Sequence, residues 1–123
     1  MMQSRSQKMA QQAFQCIADH TAKNSNGKPN KDFVSTVKKF PALIHTCGLA
    51  QAVAFALAKK DVEFVDYLAS ILKAAGYTEL SDHNHLDEYA RKKSLSEYLR
   101  VSRDAICAAS WLKRYVEAAG EDE

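Results

Sequence analysis

Residues Val37 to Lys59 read VKKFPALIHTCGLAQAVAFALAK, and from Pro41 to Ala58 this stretch holds no Lys, Arg, Asp or Glu. Its second half, Leu49 to Ala58, is apolar on nearly every side of a helix apart from Gln51. That pattern predicts a rod buried all round, with Phe55 and Leu57 as its bulk and other helices wrapped about it. Pro41 has no N–H and restricts Phe40, so a helix arriving through Asp32 to Lys39 is expected to stop or kink there, with Pro41 at a first helical position. Gly48 is the next punctuation: it either closes Ala42 to Cys47 in the left-handed conformation or lets another backbone approach closely. Lys38 and Lys39 precede the apolar segment and Lys59 and Lys60 follow it. They serve either as solubilising charge at helix ends or as a rim facing an anion.

Working outward, a chain of 123 residues has the length of one domain, able to bury about two thirds of its unfolded surface. Four Gly and two Pro favour helices over a turn-rich β fold. The net charge of +2 conceals an asymmetry: residues 1–59 carry eight basic groups against two acidic, whereas residues 60–123 carry nine against thirteen. Such a split steers an anionic partner to one side, or brings two subunits together basic side to acidic side. Cys16, Cys47 and Cys107 form no C-x-x-C pair, which suggests reduced, buried thiols in the cytosol. No apolar run approaches the length of a membrane span, and the start MMQSRSQKMAQQAF lacks the apolar core of a secretory signal. A cytoplasmic location is therefore expected.

The rest of the chain reads as a compact all-α bundle of about six helices, one domain over residues 1–123 with frayed ends at 1–4 and 120–123. Ser4 or Ser6 caps a first helix with apolar Met9, Ala10, Ala13, Phe14 and Ile17, ending in the loop Asn24 to Asn30. Asn30 caps the next, with Phe33, Val34 and Val37 on one side. Asp61 opens a helix through Ala75 that Gly76 stops, bearing two apolar stripes and so two neighbours. Tyr77 to Asn84 is a loop, then Leu86, Tyr89 and Ala90 lie on a short helix. Ser94 and Glu97 have the form of a capping box for the last helix. Its core side is expected to be Leu95, Tyr98, Leu99, Ser102, Ala105, Ile106, Ala109, Leu112 and Val116.

At 100° per residue, Arg100, Arg103, Cys107, Ser110, Trp111 and Arg114 fall opposite that stripe. Three guanidinium groups beside an indole suit a phosphate backbone with unstacked bases, because Arg meets phosphate as a planar fork and aromatics stack on bases. The plainer alternative packs Trp111 under a helix or a partner and pairs the arginines with Asp104 and Glu97. His83-Asn84-His85 matches a nuclease motif only by its letters, since it sits between helices without the ββα metal fold. No set of His and Cys has zinc spacing, and His20 and His45 read as partly buried structural residues. Asp61, Glu63, Asp87 and Glu88 stand at helix starts, where the dipole favours acids. Cys47 and His45, two apart, point different ways on a helix. No acid, base or nucleophile converges, so the chain reads as no enzyme, with no metal and no cofactor.

Two blocks carry a resemblance. Lys39-x-Pro41-x-x-Ile44-x-x-x-Gly48-Leu49 with Phe55 and Lys59, and then Tyr98, Ser102, Asp104-Ala105 and Trp111-Leu112-Lys113-Arg114, resemble the small all-helical subunit family of the type III-B CRISPR-Cas effector, the Cmr complex. Leu99 departs from the basic residue expected after the tyrosine, and Ser102 and Asp104 replace the commoner threonine and glutamate. The resemblance covers roughly half the chain. It implies copies stacked beside the backbone RAMP subunits, bridging to the large cyclase-type subunit and helping hold crRNA and target RNA during antiviral silencing. Lys38, Lys39, Lys59, Lys60, Arg100, Arg103, Trp111, Lys113 and Arg114 are then the expected RNA-binding surface, following phosphates without reading sequence. The alternative is a helical adaptor whose basic face docks an acidic protein and touches no RNA.

Overall fold

Ser4 begins the first helix. Its hydroxyl accepts the Gln7 N–H at 3.1 Å while the Gln7 side chain accepts the Ser4 N–H at 2.8 Å, so both halves of a capping box are present. The computed structural model describes residues 3–119; Met1, Met2 and residues 120–123, where most of the expected fraying falls, lie outside the described residues. The elements are α1 (Arg5–Ala22), α2 (Lys31–Cys47), α3 (Leu49–Ala58), α4 (Val62–Ala74), α5 (His83–Lys92) and α6 (Leu95–Ala118). Among the described residues there is no strand. Asn30 caps α2 through the N–H groups of Asp32 and Phe33. Asp82 caps α5 and Ser94 caps α6. At Ser94 the hydroxyl also donates to the Glu97 carboxylate at 3.0 Å, a contact that stands in for the reciprocal half of the expected box.

The hub is α4, not the uncharged rod. Phe64, Val65, Leu68, Ala69, Ile71 and Leu72 are all fully buried, and α4 touches α1, α2, α3, α5 and α6. Each large member contributes roughly 1.5–3 kcal/mol on burial. Its two apolar stripes are accounted for by neighbours in the same chain. Gly76, at φ 121°, ends it: Gly76 N–H reaches Lys73 O at 3.1 Å and Tyr77 N–H reaches Leu72 O at 3.0 Å, the paired bonds of a Schellman motif.

Several expectations are corrected. Helix α2 does not stop at Pro41 but runs through it to Cys47. The proline removes one intrahelical bond, and the loss is outweighed by the core contacts of Val37, Phe40 and Ile44 on either side of it. Helix α3 is buried on one face only, through Leu49, Ala52, Val53 and Ala56, while Phe55 is 42% exposed. On α1, Phe14 is 54% exposed and the inward positions are instead Met9, Ala13, Cys16, Ile17 and His20. On α6, Leu95 and Leu99 are 72% and 54% exposed. Val101 and Ala108 take the inward positions, because the helix presents a face turned toward α1 as well as α2. Cys16 is buried, whereas Cys47 and Cys107 are exposed. His20 is buried and His45 exposed. His83, Asn84 and His85 form the first turn of α5 instead of a loop.

Candidate nucleic-acid interface

On α6 the geometry follows the 3.6-residue period. Arg103, Cys107 and Arg114 are exposed and Ser110 and Trp111 half-buried along the side away from Ala105, Ala109 and Leu112. Arg103 and Arg114 are eleven residues apart, or about 16.5 Å along the axis. Between them Ile106, Cys107, Ser110, Trp111 and Arg114 line a shallow depression of about 430 Å³. The Trp111 indole stacks on the Tyr115 ring, with centroids 5.8 Å apart and planes 17° from parallel, and Phe14 meets Tyr115 edge-on at 5.6 Å. An aromatic row therefore runs from α6 onto α1. Tyr115 is legible in the sequence as the i+4 neighbour of Trp111; exposure of Phe14 has no signal in its own helix.

The arginines are not held by the expected acids. Asp104 accepts from Arg5 at 2.9 Å and from the Tyr77 hydroxyl at 2.6 Å, and the Arg5 Nε donates to Ala75 O at 3.0 Å. Glu97 is engaged with Ser94. Among the described residues Arg103 and Arg114 enter no ion pair. The Arg100 guanidinium lies 5.7 Å from the Tyr77 centroid, and Lys113 is half-buried. Burial of Tyr77 and its bond to Asp104 push the phenol up to about 12. The Arg5–Asp104–Tyr77 knot thus locks α1, the end of α4 and α6 together while leaving the outer arginines available.

Lys38 and Lys39 project from the exposed side of α2, the helix that packs against α6. Lys59 and Lys60 lie in the α3–α4 turn, apart from the α6 row. Lys60 borders a depression of about 230 Å³ shared with Lys23, Asn30, Asp32, Asp61 and Glu63. There the buried His20 ring stacks on Phe33 with centroids 3.8 Å apart. His20 Nε2 accepts the Asn30 N–H at 3.1 Å, which leaves the proton on Nδ1, directed at Glu63 at 3.0 Å. Burial pushes the Glu63 carboxyl up, but bonds from Tyr67, His20 and Lys23 outweigh it and bring the group down to about 2. Burial and that same bond raise the Tyr67 phenol.

His83 and His85 have partners within the fold. Both the N–H and Nδ1 of His83 lie 2.7 Å from Asp66, tying α5 to α4, and His85 pairs with Asp82 at 3.3 Å. Among the described residues no three of His, Cys, Asp and Glu converge as metal ligands. No helix among the described residues is long and apolar enough to cross a membrane.

The sequence matches the model of the CRISPR-associated protein family Cas_Cmr5 over residues 5–119. It is 30% identical over 121 residues to the CRISPR system Cmr subunit Cmr5 of Thermus thermophilus, spanning 98% of this chain and 100% of that protein. The fold is similar to the crystal structure of a CRISPR-associated Cmr5 family protein from Thermus thermophilus, with a TM-score of 0.81, 31% identity and coverage of 97% of this chain and 100% of the other.

Proposed function

Because the chain belongs to the Cas_Cmr5 family and is a small subunit of the Cmr complex, we propose that it is a non-catalytic part that lays a basic surface along crRNA and target RNA. The observation that carries this reading is the α6 row, where Arg114 stands beside the Trp111–Tyr115 stack, Arg103 lies on the same side of the helix eleven residues earlier, and neither is drawn into an ion pair among the described residues. Guanidinium groups there meet phosphates and the ring pair meets bases without selecting sequence. Lys38 and Lys39, on the neighbouring helix, extend the same field, Arg100 and Lys113 contribute from its margins, and Lys59 and Lys60 add charge apart from it at the α3–α4 turn. Copies of the subunit stack beside the RAMP backbone and bridge to the large cyclase-type subunit, in a cytoplasmic complex that silences invading RNA. Cleavage belongs to another subunit.

A second reading, a protein adaptor that never touches RNA, is favoured by the exposed Leu95 and Leu99 at the start of α6. Native mass spectrometry of the purified complex before and after RNase treatment separates the two. Cross-linking by ultraviolet light before digestion leaves a nucleotide adduct on this subunit if it holds RNA. Full retention in the complex with no adduct would support the adaptor.

A further inference from the structure

The α3–α4 turn is built at a cost. Lys60 N–H reaches Leu57 O at 3.0 Å and Asp61 N–H reaches Ala56 O at 2.9 Å, the same Schellman bonds that end α4 at Gly76. In α4 a glycine occupies the positive-φ position; here it is Lys60, at φ 65°. A lysine in that conformation is disfavoured where glycine is not, and backbone strain of this kind concentrates at functional positions. The nearby acids do not hold it: Asp61 accepts from Thr36, Glu63 is taken by His20, Lys23 and Tyr67, and among the described residues Lys60 forms no ion pair with these or with Asp32. One turn earlier, Phe55 is 42% exposed, with the Lys59 ammonium 5.3 Å from its centroid. A large aromatic left partly in water beside the Lys59 cation, with Lys60 next along the chain in a strained backbone, offers an unpaired nucleotide a ring for its base and ammonium groups for its phosphate.

We infer that this corner is a second nucleotide-binding site, separate from the α6 row, at which Phe55 stacks on an unpaired base of the bound RNA strand and Lys60 meets the adjoining phosphate. The inference rests on the RNA-holding reading above and adds to it a place where the strand is not duplex.

The test is a reconstituted complex carrying wild-type, Phe55→Ala or Lys60→Gly subunit, with uridine-rich RNA containing 4-thiouridine as the probe. The expected result is a photo-adduct on the Phe55-containing peptide that Phe55→Ala abolishes. In the isolated subunit, Phe55→Ala should weaken binding of the same RNA by roughly 5- to 150-fold, the range for loss of one stacked base. Lys60→Gly should weaken binding and flatten the salt slope by about 0.7, while its melting temperature rises, because glycine relieves the turn. Wild-type affinity and slope in both variants, with the Arg103/Arg114 double alanine variant still impaired, overturn this inference alone. Absence of RNA binding by wild type overturns it together with the reading beneath it. If Phe55→Ala lowers incorporation into the complex but leaves RNA affinity unchanged, the ring is a protein contact and the inference falls.

Discussion

The Tyr98 hydroxyl occupies the space that a side chain on residue 48 would need: a Cβ built on Gly48 would lie 2.9 Å from it. The same oxygen accepts the Ala50 N–H at 3.2 Å, so a tyrosine from α6 satisfies one of the first N–H groups of α3, which has no cap of its own. Gly48 joins α2 to α3 with no intervening residue, at φ 88° and ψ 159°, a region open essentially to glycine. Both halves of the family resemblance, one around Gly48 and one beginning at Tyr98, meet at this point.

Gly48→Ala should therefore cost about 1–3 kcal/mol from backbone strain, with the clash against Tyr98 added. Tyr98→Phe should cost about 1 kcal/mol by leaving the Ala50 N–H without its acceptor. In urea denaturation the double variant should lose less than the sum of the two, because removing the hydroxyl relieves the clash. Strict additivity would mean that the hydroxyl and the glycine are independent.

Asp104→Ala should destabilise by about 1–3 kcal/mol, since it leaves the Tyr77 hydroxyl and the Arg5 guanidinium without their shared acceptor. RNA binding should survive, because Arg103 and Arg114 do not depend on that carboxylate. Thermal melts and RNA titrations of the same preparation check both halves.

The Glu63 carboxyl has its folded value near 2 against an ordinary 4.5. Its folded value is the depressed one, so its contribution is complete above about pH 4.5 and is lost as pH falls toward 2. Glu63→Gln should flatten the acid limb of the stability curve across that window. Urea midpoints measured across the window test this, and an acid limb as steep as wild type would contradict it.

Helix number and most helix ends are legible in the sequence because they are local. Ser4, Asn30, Gly48, Gly76 and Ser94 each act within a few residues of themselves. The arginine row on α6 is legible for a related reason, since helical period alone sets which residues share a side. Burial is less legible. Lack of charge in Leu49 to Ala58 does not say which face the rest of the bundle covers, so the pattern points Phe55 inward though only Leu49, Ala52, Val53 and Ala56 are buried. The phase of α6 at Leu95 and Leu99 fails likewise, because Ala105 and Ala109 fit an inward stripe with either Leu99 or Val101. The Arg5–Asp104 pair spans 99 residues, and no local pattern announces it. The strain at Lys60 comes from a turn whose sequence carries no glycine.

The proposed RNA-holding role depends most on the outer arginines of α6 touching phosphate. The direct measurement is the affinity of the reconstituted complex for its RNA as a function of salt, with wild-type subunit and with Arg103→Ala/Arg114→Ala. Two lost phosphate contacts should make the logarithmic slope shallower by about 1.4. An unchanged slope, with the variant subunit fully incorporated, would contradict the account.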